Sequence, residues 1–313
     1  TESDPDGYFE FDKVPVGNWL VREIAPPAAF VLTEEIFPVE ITEDGQTIEI
    51  TIENQIIKGT AETIKVDADY PDHKLSGAVF EVYADVDNNG EFNADIDKLA
   101  GEMTETEPGL YQMKDLVYRN YFLHEKEAPE FFEKDDGYYP FSITENEAIV
   151  RIETEAGEGF LNKAQTGSLK VVKTADDDKV EGRTFKISGT DFMGNAYEQE
   201  FKTDENGEIN LTLRVGEYTV SEVAGEDSEK YILPDDQTVE IKAGETTTVK
   251  MHNKLVPEVP SVPQTGDNPW MPAILGTLAG LAVLSGGALL FLRYTGKKRK
   301  SADQADEDQG TEE

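Results

Sequence analysis

Apolar and polar residues alternate along much of the first 254 positions, and three short segments repeat the same alternation. They are Gly17-Asn-Trp-Leu-Val-Arg-Glu23, Arg119-Asn-Tyr-Phe-Leu-His-Glu125 and Gly216-Glu-Tyr-Thr-Val-Ser-Glu222. Each sets an aromatic residue, an aliphatic residue and a Glu at two-residue steps, the period of a β-strand. Trp19, Val21 and Glu23 therefore share one face, as do Tyr121, Leu123 and Glu125, and Tyr218, Val220 and Glu222. A carboxylate that ends the apolar face is the anomaly, because a buried acid is costly unless it is paired or neutral.

Two further signals recur in register with these strands. Asn54, Asn162 and Asn253 each close a strand-like segment, and they follow the repeated Glu by 31 (54 − 23), 37 (162 − 125) and 31 (253 − 222) positions. Gly59 and Gly167 open alternating strands that end on Lys65 and Lys173, each Lys six positions after its Gly. Short strands separated by Gly, Asp and Asn turns, in units of about 90 to 105 residues, predict β-sandwich modules. The expected organisation is one partial module at 1–57, whose Lys strand is missing because the chain begins inside it, and two complete modules at 58–163 and 164–254. A Pro-spaced linker follows at 255–269, then an apolar segment at 270–292 and a basic and acidic tail at 293–313.

At this point the resemblance becomes specific. The matching residues are Lys65-Val-Asp67, the Leu75–Phe80 segment, Glu125 with Ala128-Pro129, and Asn162-Lys163. They resemble the prealbumin-like Cna B-type (SpaA-like) domains of Gram-positive pilins and adhesins. The resemblance implies an all-β chain of tandem prealbumin or immunoglobulin-like β-sandwich modules. It also implies that Lys65 joins Asn162, and Lys173 joins Asn253, as intramolecular isopeptide bonds assisted by Glu125 and Glu222. Glu23 and Asn54 are the corresponding pair of the first unit, with no Lys partner. The side chains suit such a reaction: burial lowers the pKa of a Lys amine and makes it a nucleophile. A Glu held in the same apolar setting can polarise the carboxamide and pass protons. The bland alternative is a surface Lys, a half-exposed Glu and an Asn in a turn.

Composition adds constraints. The chain carries 65 acidic and 28 basic residues, a formal charge of −37, and no cysteine. So acid a chain has no nucleic-acid partner, and its charge reads as solubility over a large exposed surface. With no Cys, only three His and no HExxH spacing, a zinc site or Cys nucleophile is not expected. No cofactor motif stands out. One acidic run does: Asp85, Asp87, Asn89, Gly90, Asn93, Asp95 and Asp97 resemble a D-x-D-x-N-G calcium loop. Ile96 stands where an EF-hand has its bidentate Glu, with Asp95 or Asp97 as substitutes. The plainer reading is an acidic hairpin loop.

The C-terminal signal is of another kind. Trp270–Leu292 contains no charged side chain and is long enough for a transmembrane helix. Arg293, Lys297, Lys298, Arg299 and Lys300 place its far flank in the cytoplasm and the modules outside the cell. Just upstream, Val262-Pro263-Gln264-Thr265-Gly266 resembles an LPxTG sorting signal, with Val262 in place of Leu. That resemblance implies cleavage between Thr265 and Gly266 by a sortase. Thr265 would then pass to an amine of a peptidoglycan precursor or a pilin. A plain single-pass anchor is the alternative. The functional expectation is a non-enzymatic, cell-wall-anchored stalk or pilin-like protein, with an adhesin whose binding head lies in the missing N-terminal region as the second reading. Any host or matrix ligand is unspecified.

Overall fold

The computed structural model describes residues 1–258; the predicted linker end, sorting motif, transmembrane helix and tail lie outside them. Among the described residues no helix is long and apolar enough to cross a membrane.

The first unit is a two-stranded antiparallel sheet, β1 (Gly17–Arg22) with β2 (Ile36–Ile41). The segment ending on Asn54, expected as a strand, does not pair as one. In the two later units the chain that carries the Asn pairs with a first strand, and no such strand is present among the described residues here. With no facing sheet, Trp19 stays 42% exposed.

The second unit begins with β3 (Lys58–Asp67), β4 (Val79–Ala84), β5 (Lys98–Glu102) and β6 (Thr104–Glu107). It continues through β7 (Leu110–Val117), β8 (Arg119–Glu127), β9 (Tyr138–Ile143), β10 (Ile149–Arg151) and β11 (Phe160–Asn162). One sheet runs β10-β3-β7-β6 with β11 also on β3, and the other runs β5-β4-β8-β9. Phe80, Val82, Tyr111, Leu123 and Phe160 fill the space between the two.

The third unit repeats the plan with β12 (Thr166–Ala175), β13 (Thr184–Asp191), β14 (Ala196–Lys202) and β15 (Glu208–Arg214). After β16 (Gly216–Glu222) come β17 (Tyr231–Ile232), β18 (Gln237–Ile241) and β19 (Thr246–Leu255). Its sheets are β15-β12-β19-β17 and β14-β13-β16-β18, closed on a core that includes Leu169, Phe185, Val220 and Met251. This is an all-β sandwich repeated in tandem.

In both complete units the first strand lies parallel to the last: β11 pairs β3, and β19 pairs β12. The Lys does not end its strand, as the alternation alone suggested; β3 runs on to Asp67 and β12 to Ala175. Along β12 the inward series is Leu169, Val171, Lys173 and Ala175, so Lys173 takes a place whose neighbours are aliphatic or small.

Candidate functional site

Strand register decides which side chains meet. Phe160 lies opposite Lys65 on β3, which puts Asn162, two residues on, on the face that Lys65 occupies. In the third unit Met251 lies opposite Lys173 and Asn253 follows two residues later. The Glu comes from the other sheet. Glu125 on β8 pairs with Phe80 on β4, and Glu222 on β16 pairs with Phe185 on β13. Lys and Asn thus project from one sheet and Glu from the sheet it faces.

The second unit brings the three together tightly. Lys65 and Glu125 are fully buried and Asn162 is 3% exposed. Lys65 Nζ stands 2.9 Å from Glu125 Oε1 and donates to Asn162 Oδ1. Asn162 Nδ2 donates to both carboxylate oxygens of Glu125, at 2.9 Å each. The Asp135 amide donates to Glu125 Oε2 at 2.8 Å and fixes the carboxylate from behind. Phe160 and Phe80 wall the amine, their ring centroids 4.3 and 5.7 Å from Nζ. Burial pushes the Lys65 amine down to about 8, against the opposing pull of Glu125.

The third unit holds the same group with looser contacts. Lys173 Nζ is 3.1 Å from Glu222 Oε2, and Asn253 Nδ2 donates to Glu222 Oε1 at 2.8 Å. The Lys173–Glu222 approach is close without hydrogen-bond geometry, so Lys173 Nζ, Glu222 Oε2 and Asn253 Oδ1 are buried with no hydrogen-bond partner. Burial again lowers the Lys pKa, with Glu222 opposing. In the first unit Asn54 Nδ2 donates to Glu23 Oε2 at 2.6 Å and to the Val31 carbonyl at 3.1 Å. No Lys ion-pairs with Glu23 among the described residues.

In both complete units the arrangement can move a proton from amine to amide nitrogen through one carboxylate, since Glu touches both. The Phe walls and the Asp135 amide were not singled out in the sequence. Phe160 could have been, as the apolar residue two before a repeated Asn. Asp135 lies in an irregular loop and leaves no periodic mark.

The predicted acidic loop is brought together only in part. Carboxylate oxygens of Asp85, Asp87 and Asp97 lie within 4.8 Å of one another. Asp95 is not in this group, and Asn89 touches it through its nitrogens, its backbone amide and Nδ2 donating to Asp87 Oδ1 and Oδ2 at 3.3 and 2.9 Å. The Asn89 side-chain oxygen accepts from the Glu91 amide at 2.7 Å, and Asp95 is exposed with its amide on Asn93.

A family model for the SpaA prealbumin-like fold domain matches residues 1–56, 59–158 and 167–255. No curated protein matches the chain in sequence. Among solved structures, the Bacillus anthracis TIE protein is 26% identical with a TM-score of 0.60, covering 80% of this chain. The chain spans 44% of that protein's length. A streptococcal ancillary pilin is 19% identical with a TM-score of 0.28, over 78% of this chain and 77% of that one. The shaft pilin SpaA of Lactobacillus rhamnosus GG is 15% identical with a TM-score of 0.28, over 65% of this chain and 100% of that one.

Proposed function

The chain belongs to the family of SpaA prealbumin-like fold domains, and from that premise we propose that it is a structural stalk of the cell surface, made tension-resistant by Lys65–Asn162 and Lys173–Asn253 isopeptide bonds. The observation that supports this most is the burial, twice and at matching positions of two units, of a Lys, a Glu and an Asn with the Glu touching both of the others. In the second unit the Lys and Asn are also in direct contact. Neutral Lys65 Nζ attacks the Asn162 carboxamide carbon, and its proton passes to Glu125. The same carboxylate, already hydrogen-bonded to Asn162 Nδ2, delivers a proton to that nitrogen. The Nζ–Cγ bond forms, the Cγ–Nδ2 bond breaks, and ammonia leaves. Holding the groups in contact supplies the effective concentration that two such unreactive partners need. The event happens once per module, so the protein is not an enzyme in the sense of turnover.

The mechanical benefit follows from topology. A bond from Lys65 to Asn162 closes 97 residues of chain, and force entering at one end of the module leaves through the other without extending them. On an entropic reckoning such a loop restricts the unfolded chain by roughly 4 to 5 kcal/mol, the effect of a disulfide without cysteine. Outward placement and covalent anchoring rest on Val262–Gly266, the apolar segment 270–292 and the basic run behind it. By this reading a sortase cleaves after Thr265 and joins it to an amine of the wall or of a pilin.

Intact mass tests the chemistry. Each bond releases one ammonia, about 17 Da, so the full chain should weigh about 34 Da less than its sequence. Lys65→Ala, Glu125→Ala and Asn162→Ala should each restore one ammonia equivalent and leave the other bond intact. A mass equal to the sequence would remove the crosslinks from this proposal.

A further inference from the structure

The connection between β4 and β5 holds a second chemical problem, unrelated to the crosslinks. Asp85 and Asp97 are 1% and 4% exposed, and their carboxylates converge with that of exposed Asp87. Part of this charge is met by backbone amides. Gly90 N donates to Asp85 Oδ2 at 3.0 Å, Val86 N to Asp97 Oδ1 at 2.9 Å and Asn93 N to Asp97 Oδ2 at 2.7 Å. Asp85 Oδ1 is left buried with no hydrogen-bond partner. Among the described residues no Lys, Arg or His ion-pairs with any of the three.

The third unit shows the contrast. Its buried carboxylate at the corresponding end of the sandwich, Asp191, has Arg214 at 3.3 Å. Tyr218 Oη donates to the Arg214 carbonyl at 3.0 Å, and Tyr121 Oη donates to the Val117 carbonyl at 2.9 Å. This matched contact sets Val117 where the third unit has its Arg. The cation that settles the acid in one unit is therefore an aliphatic residue in the other. Buried like charges with no counter-ion are unstable unless a cation or a proton joins them.

We propose that Asp85, Asp87 and Asp97 bind one calcium ion. Three carboxylates and no nitrogen or sulfur donor suit a hard cation. Magnesium keeps most of its water and takes one or two carboxylates, so a three-carboxylate group favours calcium. The unpartnered Asp85 oxygen supplies the inner ligand, Asp97 the wall and Asp87 the solvent side. The ion ties the 85–97 connection to the end of β4.

The test titrates CaCl2 or MgCl2 into the full chain in detergent, stripped beforehand with chelator, and follows heat and melting temperature. One saturable calcium site is expected, with a dissociation constant on the order of 10⁻⁴ M, and a melting temperature that rises with calcium. Asp87→Asn, at an exposed position that does not threaten folding, should weaken binding by about tenfold or more. Asp95→Asn, in the same loop but outside the group, should leave it unchanged. Absence of a saturable calcium site overturns the proposal. So does an equal loss from Asp95→Asn, which would mark diffuse attraction to an acidic surface, or magnesium binding as tightly as calcium.

Discussion

Lys65 sits where a sandwich would ordinarily place an aliphatic side chain, and its chemistry is set by that position. Burial disfavours the ammonium, Glu125 partly restores it, and the net effect lowers the amine to about 8. An unfolded Lys titrates near about 10.4. Below about pH 8 both states are protonated and the penalty on the buried ammonium is fully present. Between the two values the unfolded chain binds more protons than the folded one, so stability rises with pH there. Crosslinking would remove this titration, so it must be observed in Asn162→Ala, which cannot form the bond. Compared with Lys65→Met/Asn162→Ala, the melting temperature of Asn162→Ala should gain a few degrees from about pH 7 to about pH 11. Other titrating groups cancel in that difference. A difference that stays flat with pH would mean that the amine keeps an ordinary pKa.

At the scale of elements, the proposed crosslinks depend on two parallel pairings, β3 with β11 and β12 with β19. A slip of one residue would turn Asn162 to the opposite face and leave Lys65 beside a backbone. Gly159 guards that register. Its φ is +101°, and a Cβ there would stand 2.6 Å from the Ile64 carbonyl oxygen. Gly159→Ala should therefore destabilise the second unit by about 1 to 3 kcal/mol and shift β11. The mass should show incomplete ammonia loss from that unit only. Gly157→Ala, also at positive φ but with nothing within 4 Å of the Cβ, should lower the melting temperature less and leave the mass deficit complete. The repeated Glu, Asn and Lys were legible in the sequence because strand periodicity and equal spacing mark them. Their meeting was not, since spacing says nothing of a parallel register or of which sheet the Glu comes from. The acidic loop was half legible: alternation found Asp85, Asp87 and Asp97, but could not tell that Asn89 and Asp95 serve the loop's own turns or face solvent.

At the scale of the whole molecule, the contact least visible in the sequence is the one between the two complete units. Asp67 belongs to the motif that identified the first strand, yet its fully buried carboxylate meets Arg214, 147 positions away, at 2.5 Å. No periodicity or local spacing marks a pair so distant. Arg214 also reaches Asp191 at 3.3 Å, and its guanidinium lies 5.0 Å from the Tyr70 ring and 5.4 Å from the Phe192 ring. One cation thus settles a buried acid from each unit and is itself packed between aromatic rings from both. Under the stalk role proposed above, joints that resist bending would transmit force better, and this contact gives the joint a definite geometry. Arg214→Leu keeps the bulk but leaves Asp67 and Asp191 buried without a counter-charge, a loss of about 3 to 5 kcal/mol for a broken buried pair. The urea midpoint of the chain should fall, and small-angle scattering should report a wider spread of inter-unit angles. Arg183→Leu is the control, because Arg183 pairs with Asp227 inside the third unit; it should lower that unit's stability and leave the angular spread alone. Equal spread in both variants would show that the joint is held by its apolar contacts, with Arg214 merely neutralising the acids around it.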